Sequence, residues 1–350
     1  MDVGAARPGW WIRGAHLQTI WARLARSRHL VRFRRELLAT PDGDELVLDH
    51  ADGPAGAPRV LLLHGTEGSS YSLHTQGLAA LVARAGWRAV ALNFRSCARD
   101  PKNIRTRLRN RTPRLYHAAE TGDLDLVVRA LRAREPDAPL HAIGFSLGGN
   151  VLLKWLGEQG AGALASAVTI SVPYDLAAAA RYLVRPSARI YVYNFMRRIR
   201  PKALDVLERF PGQTAHLDRA RIAGARTIRD FDDCVTAPLH GFTDADDYYA
   251  NASALPWLPR VRVPTLCISA QDDPFYPGEA IAPARAAASP DVTFAVTTWG
   301  GHTGFVSGRW PWRPSYWAEE TAIAWLAAHG AKGEVSVRGA ARGAAATPSR

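Results

Sequence analysis

The sequence predicts an α/β fold: a mostly parallel central sheet with flanking helices and a helical insertion. Three observations carry that prediction. Short apolar runs at about 60–63, 89–93, 140–144, 167–172, 263–269 and 292–298 alternate with stretches whose apolar residues recur at helical spacing. The run Pro139–Phe145 passes through a tight Gly/Ser turn straight into one such stretch, Asn150–Leu156. The segment between about 174 and 258 lies between two predicted core strands and is too long for a plain crossover. It reads as helical, rich in Arg and Tyr, and broken by Pro186, Pro201 and Pro211.

In chain order, residues 1–35 are expected to form an N-terminal arm. Trp10, Trp11, Ile12, Leu17, Ile20, Trp21 and Leu24 punctuate it, and the later positions suit an amphipathic helix packed on the body. Arg34–His50 reads as a hairpin turning at Pro41-Asp42-Gly43-Asp44. The main domain is expected over 36–330, with 174–258 as a lid that excludes water from a pocket. Ala331–Arg350 is rich in Ala, Gly and Arg without periodicity and is expected to be a disordered tail.

Composition narrows the class. At 350 residues and 47% hydrophobic, the chain can bury one large core, or a core plus a lid. Cys97, Cys234 and Cys267 are odd in number and widely spaced, with no Cys-x-x-Cys. Neither a disulfide framework nor a zinc site is suggested, and a cytoplasmic, reducing setting is expected. No run approaches the roughly 18 apolar residues of a membrane span, and the N-terminus shows no continuous apolar signal region.

The net charge is +12, and much of it clusters. Arg95, Arg99, Lys102, Arg105, Arg107, Arg109, Arg111 and Arg114 fall in one loop-like stretch, and a second group runs from Arg181 to Lys202. No nucleic-acid motif accompanies them, so no nucleic-acid partner is expected and the charge reads first as a self-solvating surface. The second reading is weak contact with an anionic membrane surface.

The chemistry centres on Ser146, in Gly144-Phe145-Ser146-Leu147-Gly148. Such pentapeptides are common by chance; the strand before and the helix after make this one informative. A serine there must occupy a sharp turn, which the glycines permit. The turn lifts Oγ above the sheet edge, near a helix N-terminus. A serine also needs a base, and the base an orienting acid. The strand Val263–Ala270 ends in Gln271-Asp272-Asp273-Pro274-Phe275-Tyr276-Pro277, and Val292–Thr298 ends in Gly300-Gly301-His302-Thr303-Gly304. Acid after one strand and His after the next put both at the C-terminal edge of a parallel sheet, with Ser146. An Asp-Asp-Pro turn alone is usually just a turn, and a His among glycines is usually a loop residue. The three in order, each just past a strand, point to a nucleophile, an acid and a base. Asp273, four residues before Pro277, is the preferred acid. Asp272 is the fallback and Asp175, after the strand at 167–172, the third candidate.

An oxyanion hole needs two aimed main-chain N–H groups. Leu147 supplies one. The loop His64-Gly65-Thr66-Glu67-Gly68 after Arg59–Leu63 supplies the other, through Thr66. A phosphate cradle is the rival reading of that loop, but no Gly-Lys-Ser/Thr follows it.

The chain resembles the YheT-like α/β-hydrolases, a group of serine esterases found in bacteria and eukaryotes. Trp10–Thr19, His64–Ser70, Asn93–Cys97, Gly144–Asn150 and Gly300–Phe305 carry the likeness, and Phe231–Phe242 is similar to the group's lid region. The blocks span about 8–328. The resemblance implies an α/β-hydrolase fold and a Ser146, Asp273, His302 triad. It also implies hydrolysis of carboxylic esters, with acylglycerols or phospholipids in some members. Thr66 stands where leucine is frequent and Ser96 where glycine is frequent; the first is expected to alter the acyl pocket.

The expected protein is therefore a serine carboxylester hydrolase that forms an acyl-enzyme, with no metal or organic cofactor. Its substrates are expected to be short- to medium-chain esters, acylglycerols or other lipids. Two alternatives stand beside it. An acyltransferase would use the same triad and hand the acyl group to an alcohol. A non-catalytic lipid-binding protein could share the fold, but it has no need of Ser146 or His302.

Overall fold

A computed structural model describes residues 7–26, 29–162 and 164–330. The expected tail at 331–350 and the start of the arm lie outside the described residues.

The central sheet has eight strands: β1 (Arg34–Ala39), β2 (Glu45–Ala51), β3 (Arg59–Leu63), β4 (Arg88–Asn93), β5 (Leu140–Phe145), β6 (Ser166–Ile170), β7 (Thr265–Ala270) and β8 (Val292–Thr297). Their spatial order is β1-β2-β4-β3-β5-β6-β7-β8. The β1–β2 hairpin is antiparallel and joins β4 antiparallel; from β4 to β8 all pairings are parallel. Strands buried on both faces read as continuous apolar runs, which is why they are visible in the sequence. Alternate residues feed two cores. Val60, Leu62, Ile143 and Phe145 meet helices Leu73–Arg84 and Trp317–Gly330. Leu61, Leu63 and Ala142 meet helices Gly122–Arg134 and Leu147–Gln159. The strand order turns back at β4-β3-β5, and Leu63 on β3 pairs with Gly144 on β5. The loops after β3 and β5 therefore leave the sheet side by side, at the kind of switch point where α/β folds bind ligands.

Helix Ala15–Ala25 of the arm docks through the buried Gln18. Its amide donates to the main-chain oxygens of Ile12 (3.1 Å) and Val306 (2.9 Å) and accepts from Val306 N (2.6 Å). The segment between β6 and β7 is largely helical and carries its own apolar cluster, with Val192, Met196, Ile199, Phe231 and Val235 packed on Leu115. Among the described residues no helix is long and apolar enough to cross a membrane.

Three details differ from the sequence reading. Helix Arg189–Arg209 runs on through Pro201. A proline removes one hydrogen bond from a helix interior, and here the buried face of Ile199, Ala203 and Val206 holds the helix across it. The stretch after Arg95 is not simply a loop, since Arg99–Asp100 pairs with Asn103–Arg107 as an antiparallel hairpin. Its neighbours are not free charges either. Arg95 is buried against Asp44 and Asp123, Arg109 pairs with Asp205, Arg111 with Glu45 and Arg114 with Asp42.

Candidate active site

β5 delivers Ser146 into a turn with φ 50° and ψ −120°. A non-glycine residue there is strained and persists only when its surroundings hold it. Ser146 N donates to Ile170 O at 2.9 Å, and Ser146 O accepts from Gly149 N (2.9 Å) and Asn150 N (3.0 Å). The flanking glycines are needed for close approach. A Cβ on Gly144 would lie 2.6 Å from Gly148 O, and one on Gly148 would lie 2.5 Å from His64 O. Gly65 is close as well, though less so: a Cβ there would sit 3.2 Å from Ser146 Cβ. The loop after β3 thus runs against the serine.

His302 follows β8 and Asp273 follows β7. Both are buried, and His302 Nδ1 lies 2.9 Å from Asp273 Oδ2 and 3.1 Å from Oδ1. Asp273 Oδ1 also accepts from Phe275 N at 2.8 Å. A carboxylate on Nδ1 favours the tautomer that carries its proton there and leaves Nε2 as an acceptor. Phe275 stacks on the imidazole, with centroids 4.1 Å apart. Ser146 and His302 line one cavity of about 1240 Å³, together with Thr66 and Leu147. Among the described residues no hydrogen bond joins Ser146 Oγ to His302; such bonds often tighten only when substrate is bound. Nor, among those residues, does the main-chain N–H of Thr66 or Leu147 donate to a protein acceptor.

The other two acids are engaged elsewhere. Asp272 Oδ1 accepts from Gly301 N at 2.8 Å, which braces the glycine turn before His302, and burial pushes its carboxyl up. Asp175 caps helix Leu176–Tyr182 by accepting from Ala178 N at 3.0 Å.

Several neighbours have no local sequence signal. Thr19 Oγ1 accepts from His302 N at 2.9 Å. Only the arm's place among the family-like blocks hints at such a role. Glu67, with φ 59°, turns into the cavity wall beside Thr66. Its carboxylate meets Lys202 Nζ at 2.5 Å and Arg107 Nη2 at 3.2 Å. Burial opposes its ionisation, but Lys202 and Arg107 outweigh that and hold the carboxyl below its usual value. His64 is poorly placed to take a proton. Burial pushes it down to about 4, and its Nε2 accepts from Phe94 N at 3.1 Å. It is a neutral strut under the loop after β3. Leu176, Leu183, Ile190, Phe195, Phe231 and Phe275 give the cavity apolar walls.

A serine in a strained turn after β5, an acid after β7 and a histidine after β8, on a sheet that turns back at β3, fit one class: an α/β hydrolase. The family model for the alpha/beta hydrolase fold matches residues 58–308. YheT of Escherichia coli (strain K12), an esterase by name, is 36% identical over 315 residues, covering 89% of each chain. A protein named phospholipase ABHD3 from Mus musculus is 33% identical, covering 88% of this chain and 75% of its own. A monoacylglycerol lipase of Saccharomyces cerevisiae is 28% identical, over 79% of this chain and 60% of its own. Among solved structures, the Pyrococcus furiosus esterase Pf2001 superposes with a TM-score of 0.56 at 16% identity, covering 86% of this chain and 92% of its own. That last likeness speaks to the fold alone. The chain belongs to the α/β-hydrolase family, in its YheT-like group, and is a carboxylic ester hydrolase of the esterase and lipase type.

Proposed function

We propose that the protein is a serine carboxylester hydrolase working through an acyl-enzyme, with Ser146 as nucleophile, His302 as base and Asp273 as orienting acid. His302 Nε2 takes the Ser146 proton as Oγ attacks the ester carbonyl. The oxyanion that forms is held by the Thr66 and Leu147 N–H groups. Its collapse expels the alcohol, which leaves with the proton from His302. Water then gives a proton to Nε2 and attacks the acyl-enzyme; the acid departs and Ser146 regains its proton. Asp273 keeps the Nδ1 proton in place and stabilises the imidazolium.

One observation carries this reading: the strained Ser146 turn lies against the Gly65 loop, in the cavity that also receives His302 with its 2.9 Å contact to Asp273. Replacement of Ser146 by Ala should abolish ester hydrolysis with the fold retained; a fully active variant would refute the mechanism.

For substrates we favour short- to medium-chain esters, acylglycerols and other lipids. A cavity of about 1240 Å³ exceeds the roughly 300–1,000 Å³ usual for drug-sized ligands, and its apolar walls suit acyl chains. The names of the relatives, which include a phospholipase and a monoacylglycerol lipase, agree with that range. We read 36–330 as the hydrolase domain, 174–258 as its lid and 1–35 as an arm that braces the His302 loop. Support for the lid comes from Leu183, Ile190 and Phe195, which lie in that segment and line the cavity. The exposed Val184, Ile190 and Tyr193, with Arg185, Arg189 and Arg197 beside them in sequence, suit weak contact with an anionic membrane surface, and Ile190 also lines the cavity. The unpaired, buried thiols of Cys97, Cys234 and Cys267 suit a cytoplasmic setting.

A further inference from the structure

One wall of the cavity is cationic. Arg99, Arg105 and Arg107 come from the short hairpin, and Arg198 and Lys202 from helix Arg189–Arg209. Glu67 is the carboxylate that meets any of them, and it is shared by Lys202 and Arg107. Asp232 also lines the cavity, but its oxygens accept from Thr236 Oγ1 (2.7 Å) and Tyr249 OH (2.8 Å), not from a cation. Among the described residues Arg99, Arg105 and Arg198 form no ion pair, and Arg99 reaches only the main-chain oxygen of Arg105, at 3.5 Å. Arg99 is half-buried, whereas Arg105 and Arg198 are exposed. Four more deeply buried arginines elsewhere are neutralised. Arg26 pairs with Glu319, Arg35 with Asp49, Arg88 with Glu135 and Arg95 with Asp123.

The unmatched charge is felt. Burial and the nearby charge of Arg107 push the Arg99 guanidinium down, Arg198 adds to this, and Glu67 does not compensate. Like charges gathered on one wall repel, more around half-buried Arg99 than at exposed Arg105 and Arg198, where solvent screens them, and a bound anion would relieve them. The wall also has a defined place in the reaction. Glu67 follows the proposed oxyanion donor Thr66 directly, and Gly65 lies against Ser146. Cations therefore begin next to the carbonyl site, while Leu176, Leu183, Phe195 and Phe275 offer apolar surface for an acyl chain.

We propose that Arg99, Arg105 and Arg198, backed by Arg107 and Lys202, form a subsite for an oxyanion carried by the ester substrate, a phosphate group in its alcohol portion. Arginine's planar fork matches phosphate oxygens in pairs, and several forks on one wall suit a multiply charged tetrahedral group better than a single carboxylate. The proposal rests on the ester-hydrolase reading of Ser146.

The test compares two soluble esters with one acyl chain, 1-hexanoylglycerol 3-phosphate and 1-hexanoylglycerol. The readout is the ratio of their kcat/KM values in the wild type, in Arg99→Gln, in Arg198→Gln and in the double variant. A ratio cancels any loss of folded enzyme. The wild type should prefer the phosphate ester, and the double variant should lower the ratio by about tenfold or more, the scale of a lost charged hydrogen bond. Preference for the neutral ester, or an unchanged ratio in the double variant, overturns the subsite. Binding of the same pair to Ser146→Ala needs no turnover. If the wild type hydrolyses neither ester while Ser146→Ala still favours the phosphate ester, the subsite stands and the hydrolase reading fails. Inorganic phosphate is the arm for a free anion. If it alters turnover of the neutral ester while the two esters are handled alike, the cluster takes free phosphate and the head-group proposal is overturned.

Discussion

The main-chain N–H of His302 donates to Thr19 Oγ1 at 2.9 Å, so a residue of the N-terminal arm holds the loop that carries the imidazole. The contact bridges 283 positions of sequence. Gln18 fastens the same turn of helix to Val306 just beyond the loop. Thr303, next to His302, has φ 61° and donates its N–H to Ser171 Oγ at 3.0 Å. The loop is thus strained and pinned from both sides, which fixes where Nε2 points.

Thr19→Val keeps the side chain's shape but removes the acceptor. It should lower kcat by about ten- to a hundredfold, the scale of a small misplacement of a reacting group, with KM much less affected. Thr19→Ser should restore most of the rate. Equal loss in the Val and Ser variants would point to packing rather than to the hydrogen bond.

The two adjacent acids should separate cleanly. Asp273→Asn should cut turnover by up to about 10⁴-fold through loss of the correct imidazole tautomer. Asp272→Asn should cost far less, since Asp272 touches Gly301 N and not the ring. Steady-state rates on a p-nitrophenyl ester decide it; the reverse ranking would move the acid role to Asp272.

Stability should fall on mild acidification. Burial pushes His64 and His141 down to about 4 from the ordinary 6.5, and pushes His240 well below it. The unfolded chain therefore binds more protons than the folded one between pH 6.5 and about 4. Stability is complete above that window and is lost as pH falls through it, by about 1.4 kcal/mol per pH unit for each such group. Asp232 acts in the opposite sense. Burial raises it from 3.8 to about 6, so between those values the folded state holds the extra proton and offsets part of the loss. Urea midpoints should drop from pH 7 to pH 5, and more steeply in Asp232→Asn. A midpoint that holds or rises over that interval would contradict the assignment.

Contact with membranes should depend on the exposed charge of helix Arg189–Arg209. The wild type should co-sediment with vesicles containing phosphatidylserine at low salt, release as the salt rises, and ignore neutral vesicles. Arg189→Gln with Arg197→Gln should weaken the binding. Absence of binding at low salt would leave these arginines as a solvated surface.

The contrast between what the sequence reveals and what it hides has a physical cause. The inner parallel strands are legible because they are buried on both faces, the half-buried edge strand β8 because it alternates, and parallel pairing puts their C-terminal ends on one edge. Ser146, Asp273 and His302 can therefore be grouped from their positions after β5, β7 and β8. That the loops after β3 and β5 leave side by side follows once the order of strands is known, whereas the register that sets Leu63 opposite Gly144 is seen only in the structure. The hairpins Arg99–Arg107 and Val306–Tyr316 are hidden because they are short, surface-lying and without an apolar alternation. Pro201 misleads because tertiary packing overrides a local helix breaker. The Thr19–His302 contact and the Glu67–Lys202 pair join distant segments, and neither leaves a spacing to read.

The central claim is that Ser146 is the nucleophile, and a fluorophosphonate tests it most directly, because it forms a stable bond to an activated serine. Wild-type protein should gain one adduct, and peptide mapping should place it on Ser146, with ester hydrolysis lost in step. Ser146→Ala should gain none and should not hydrolyse esters. An adduct on another residue, or labelling and hydrolysis that persist in Ser146→Ala, would contradict the account.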